Sequence, residues 1–214
     1  MNNRLEELKE FFEKEVEKYG ERVFSKNNKV SVRGELTEDF TFSHEVLGKK
    51  FYKNVLKVKR KSDKYDNISI IVSEEFIGSE LKVRGSVAEV RGCYRSRNEG
   101  IHLILYLQVK MISITKKQEE EVYYNYIYIN GFICKPTVYR TTPLGSRICD
   151  VILAVNENVG RSSYIPSIAW GNNAKYLGCF EVGKNIQIYG RIQSRIYNYN
   201  KEVYEISIDE FEYQ

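Results

Sequence analysis

Scarcity bounds this chain first. Its 214 residues include only two histidines, four cysteines, three prolines and one tryptophan. The histidines, His44 and His102, supply little for catalysis, which needs groups that converge. Ser43, His44 and Glu45 are contiguous, and neighbours on an extended strand point to opposite faces. A Cys–His dyad stays open, but no local signature supports one. There is no Walker loop, no GxGxxG and no metal-ligand spacing. GNNAK at 171–175 has a glycine and a lysine without the phosphate-loop frame. The reading is a non-enzyme with no cofactor and no metal.

Other absences place it. Cys93, Cys134, Cys149 and Cys179 are widely spaced, with no CxxC among them, and read as buried free thiols in a reducing cytosol. No apolar run approaches the length of a membrane span. The opening MNNRLEELKEFFEKEVEKYG is too charged for a signal peptide. Net charge is only +4, which does not by itself imply nucleic acid.

What is present is β-forming material. There are 17 Tyr and 10 Phe, with abundant Val and Ile. One helix is expected over 4–20, where Leu5, Leu8, Phe12, Val16 and Tyr19 fall at helical spacing and Gly20 ends it. From Lys29 onward the pattern alternates. VSVRGEL, NVLKVKR, NISIIV, SVAEVRG and HLILYLQVKMISI are strand-like runs. The charged stretch TKKQEEEV (115–122) marks an interdomain linker, set at 116–126. After it come YNYIYINGFI, RICDVILAVN, SYIPSIAW, NIQIYGRI and VYEISIDEFEY.

The two halves repeat. Gly34 answers Gly131, Val55 and Val58 answer Ile152 and Val155, and Ile68 and Ile71 answer Ile165 and Ile168, all 97 residues apart. GSVAEVRGCYRSR (85–97) then answers GKNIQIYGRIQSR (183–195) at a spacing of 98, both with the pattern G-x6-G-x3-S-R. Each half holds about five strands and a short helix or turn. That suits a small closed barrel, the OB-fold, with a β-sandwich as the rival. The expected fold is all-β with a short N-terminal helix and two tandem five-stranded OB-fold barrels. The expected divisions are 1–25 (amphipathic helix), 26–115 (first barrel), 116–126 (linker) and 127–214 (second barrel). Residues 26–115 carry 17 Lys+Arg against 11 Asp+Glu, whereas 127–214 carry 9 against 8, so the first barrel is the basic one.

The second half resembles the bacterial single-stranded DNA-binding protein family. The resemblance runs through INGFI, TPLGSRICDVILAVN (142–156), YIPSIAWGNNAKYL (164–177) and VGKNIQIYGRIQSRIY (182–197), in the family's order and spacing. The first half resembles it more faintly. The resemblance implies a protein that coats single-stranded DNA without strong sequence preference, in replication, recombination or repair. Aromatic rings would stack on bases and Lys or Arg would hold phosphates. Tyr164 and Trp170 stand at the two positions where the family places stacking aromatics. Tyr197 stands at a third, with Tyr199 beside it in the hairpin YNYNKE. Arg147, Arg161, Lys175, Arg191 and Arg195 are the candidate phosphate contacts of this half.

The first barrel departs from the pattern. By the repeat, Asn67 answers Tyr164 and Ser73 answers Trp170. Instead it offers FYKNVLKVKRKSDKY (51–65), where Lys57, Lys59, Arg60 and Lys61 make a candidate phosphate track, joined by Arg95 and Arg97. The bland alternatives stand beside these readings: a core tryptophan, exposed turn tyrosines, solvated arginines, or a first barrel that only supports subunit contacts. Another OB-fold accessory protein, of primosome or RNA-binding type, or a structural interaction module, are the competing functions. The resemblance further implies assembly of four OB-folds, hence a homodimer, with helix 4–20 a candidate contact. The family's acidic partner-recruiting tail is not expected, since the sequence stops at EISIDEFEYQ. The expected location is the cytoplasm, associated with the nucleoid, with no membrane partner.

Overall fold

A computed structural model describes residues 3–60, 62–78, 81–157, 160–197 and 201–213. Helix α1 (Asn3–Tyr19) ends where Gly20 takes φ 80°. The first half then forms β1 (Asn28–Leu36), β2 (Thr41–Val46), β3 (Lys49–Lys59), β4 (Tyr65–Ser73), α2 (Glu74–Ile77), β5 (Val87–Glu99) and β6 (His102–Thr115). The second forms β7 (Tyr124–Ile133), β8 (Val138–Thr141), β9 (Arg147–Asn156), β10 (Ser162–Trp170), α3 (Gly171–Leu177), β11 (Asn185–Tyr197) and β12 (Lys201–Tyr213).

Five strands of each half close a ring. In the first, β3–β4–β6–β5–β1 returns to β3; in the second, β9–β10–β12–β11–β7 returns to β9. One pair in each ring is parallel, β4–β6 and β10–β12, and the rest are antiparallel. These are the two OB-fold barrels, and closure excludes the sandwich. A sixth strand hangs on each ring, β2 on β3 and β8 on β9. Neither β2 nor β8 contains a fully buried residue, so alternation had no inner face to display in the sequence. Inward residues such as Val32, Leu56, Ile70 and Leu107 fill the first ring, and Ile129, Leu153, Ile165 and Ile206 fill the second, all at 0% exposure.

The rings are joined by one seam, the antiparallel pair β1–β7. Val30 lies opposite Ile127. These two are themselves 97 residues apart, so a local twofold axis passes between them. The interior details obey that axis. Asn28 donates from Nδ2 to the Tyr94 carbonyl (2.7 Å) and accepts from the Tyr94 N–H (2.8 Å). Asn125 does the same for Ile192, at 2.7 and 3.0 Å. Gly92 and Gly190 each sit at a break in register, and a Cβ there would run into the carbonyl oxygen of Gln108 or Ser207. The serine four residues on then crosses to the other barrel. Tyr164 N–H donates to Ser96 Oγ (2.7 Å), and Asn67 N–H donates to Ser194 Oγ (2.9 Å). The repeated G-x6-G-x3-S-R thus encodes one bulge and one interbarrel clasp, twice. The one-residue drift falls between the third and fourth strands of each ring in chain order, where α3 is longer than α2.

Helix α1 lies across the outer face of the seam. Leu8 and Phe12 pack on Tyr128 and Tyr189, from the second barrel. Glu15 reaches the first barrel, accepting from Arg91 Nε (2.5 Å) and Ser31 Oγ (2.8 Å). The apolar side of the helix is therefore covered within the chain, rather than offered to a second subunit. Among the described residues no helix is long and apolar enough to cross a membrane.

Candidate nucleic-acid interface

The outer face of β8–β9–β10 carries the second barrel's candidates. Alternation along β10 turns Ile165 and Ala169 inward and leaves Tyr164 and Trp170 outward, 49% and 46% exposed. Trp170 is therefore not a core residue. Cross-strand register adds an aromatic that the sequence reading missed. Phe132 and Tyr164 both pair with Ala154, from opposite sides, so the three share one row of this face. Phe132 is 45% exposed. Its signal was in the sequence, because Ile127, Ile129 and Ile133 are the inward set of β7 and residue 132 falls between them.

Trp170 borders two recesses. One, of about 390 Å³, has Arg147 as its other large wall. The second is a cleft of about 770 Å³ where the barrels meet, lined by Lys59 and Arg60 of the first barrel and by Trp170 and Arg191 of the second, together with Asp66, Asp209 and Glu210. Arg4 and Glu7 of α1 also line it. The fold thus brings together candidates more than a hundred residues apart. Its counterpart across the twofold axis, about 620 Å³, contains Arg95, Lys26 and Lys110 but also Glu157, where the first cleft has Arg60.

The cations differ in how free they are. Arg60 is tied down: its Nε donates to Asp66 (2.8 Å), its Nη2 also donates to Asp66, and Nη2 donates to the Ser194 carbonyl (2.9 Å). Asp66 is 1% exposed, so this pair belongs to the barrel junction. Arg191 Nη1 lies 3.7 Å from the same carboxylate and is buried without a hydrogen-bond partner among the described residues. Burial pushes this guanidinium below its ordinary pKa, with Asp66 opposing. Arg95 pairs with Glu157 (3.2 Å), Arg97 with Glu99 (3.7 Å) and Arg195 with Glu205 (2.9 Å). Lys59 pairs with Asp63 at 2.8 Å on the open surface, and Lys57 lies over the Tyr65 ring, 4.3 Å from its centroid. Arg147, Arg161 and Lys175 are exposed. Lys61 and Tyr199 lie outside the described residues, and for Tyr197 only its place at the end of β11 is described.

This architecture recurs in solved structures. The wild-type single-stranded DNA binding protein from Thermus aquaticus superposes with a TM-score of 0.72 at 17% identity, over 87% of this chain and 92% of that one. A deletion mutant of that protein superposes at 0.71 and 18%, over 87% and 94%. The N-terminal domain of the PriB protein from Thermoanaerobacter tencongensis is 33% identical over 42% of this chain and 98% of that chain, with a TM-score of 0.38. No curated protein matches this sequence. By fold the chain is a tandem OB-fold protein. Residues 124–214 match the model of the single-strand binding protein family.

Proposed function

We propose that the chain binds single-stranded DNA without strong sequence preference, by base stacking and phosphate contacts and without chemistry on its ligand. The observation that carries this is Trp170. It stands half-exposed on a face shared with Tyr164, and it borders a cleft that Lys59 of the first barrel also lines. Unpaired bases offer π-faces to such rings whatever their sequence, while the backbone tracks positive charge. The Thermus protein of the same fold is described as a single-stranded DNA binding protein, and the family model covers the half that holds Trp170. The biological setting is replication, recombination or repair, where such strands occur. Two chains would place four barrels on one strand, and light scattering at micromolar concentration should then give the mass of a dimer.

The test uses the sole tryptophan. Oligo-dT should quench Trp170 fluorescence, and raised salt should weaken binding steeply as released counterions are returned. Trp170→Ala should lose about 1–3 kcal/mol of binding with the unfolding midpoint nearly unchanged. Tight binding without any change in fluorescence would remove Trp170 from the site.

A further inference from the structure

The first barrel's outer face is not stripped of rings; they stand at neighbouring positions. In the second barrel one row reads Trp170–Ile148–Arg140 across β10, β9 and β8. The same row of the first barrel reads Ser73–Phe51–His44 across β4, β3 and β2. The aromatic has moved one strand over. Phe51 and His44 lie ring on ring, centroids 4.9 Å apart and planes 6° from parallel. Next to them Ser73 is 4% exposed, and its hydroxyl has no hydrogen-bond partner among the described residues.

The opposite end shows the same substitution. Tyr164 and Ala154 have Asn67 and Lys57 as counterparts. Two residues along β4 stands Tyr65, paired with Lys59 and 48% exposed, with Lys57 reaching over its ring. Lys53 and Val55 lie between the two ends on the same face of β3. At roughly 3.3 Å per residue, Tyr65 and the Phe51 row are about 26 Å apart, and Tyr164 and Trp170 about 20 Å.

We propose that Phe51 with His44, and Tyr65, form a base-stacking subsite on the first barrel, so that this barrel holds bases as well as phosphates. The proposal rests on the reading that the chain binds single-stranded DNA. Its chemistry is that of an unpaired base: a flat ring needs a flat ring, and lysines at its flanks meet the phosphates. The Lys57 stem is flexible, so a base can take the face of Tyr65 while the ammonium meets the adjoining phosphate.

The experiment uses the full chain. Ultraviolet cross-linking to a long oligo-dT, with the joined peptides read by mass spectrometry, should mark Phe51 or Tyr65 in addition to Trp170. Phe51→Leu and Tyr65→Leu, each checked for unchanged circular dichroism, should weaken binding at high salt roughly tenfold and leave the salt slope unaltered. Cross-links confined to the second barrel, with full high-salt affinity in both variants, overturn the subsite and leave the function standing. Absence of any oligo-dT binding by the unaltered chain removes the function and the subsite together.

Discussion

The two barrels share an interior and differ on their surfaces. Inside, the asparagine clamps, the bulged glycines and the serine clasps match pair for pair. Outside, the second barrel shows Tyr164, Phe132 and Trp170, while the first shows Lys53, Lys57 and Lys59 with Tyr65 and Phe51. Packing constrains every interior atom, so a closed ring tolerates few alternatives. A solvated face tolerates many, and there the copies have diverged.

The largest expected effect tests the interior equivalence. Gly92→Ala and Gly190→Ala each press a Cβ onto a neighbouring strand's backbone oxygen, which cannot swing away. Each should cost about 3 kcal/mol in urea denaturation, and markedly unequal costs would break the correspondence. Next comes Arg60, which separates structural from surface charge. Arg60→Met leaves the buried Asp66 without its strongest partner and should lower stability by about 2 kcal/mol. The adjacent Lys59→Met should leave the denaturation midpoint in place, because exposed pairs contribute little. The smallest effect concerns the salt dependence of binding. Charge neutralisation at Lys53, Lys57 and Lys59 should flatten the plot of log affinity against log salt by about 0.7 for each phosphate of the single strand that the chain no longer neutralises. An unchanged slope would assign this face to something other than a DNA backbone.

Much of this was legible in the residues. The spacing of 97, drifting to 98, announced two equivalent rings, and alternation placed their long strands. Trp170 and Tyr164 were legible as candidate stacking residues through the family resemblance, with a core tryptophan as the alternative. The edge strands β2 and β8 were not, because without a buried side there is no pattern to read. Nor was the assignment of charges. Arg60 and Lys59 are neighbours in sequence, yet one is fixed by a buried carboxylate and by the Ser194 carbonyl of the other barrel. Partners that far along the chain leave no local trace. Phe51 and His44 were missed for a related reason: equivalence by spacing examines one position at a time, whereas a face is defined by rows that run across strands.

Helix α1 straddles the local axis, since it touches Arg91 on one side and Tyr189, the residue that answers it, on the other. A segment in that location has no symmetric way to sit. Were the barrels separate identical chains, each would bring its own helix to the same seat, and only one could occupy it. Fusion of the two copies resolves the conflict: a single helix serves both, and the seat beneath it can be tyrosine on one side and arginine on the other.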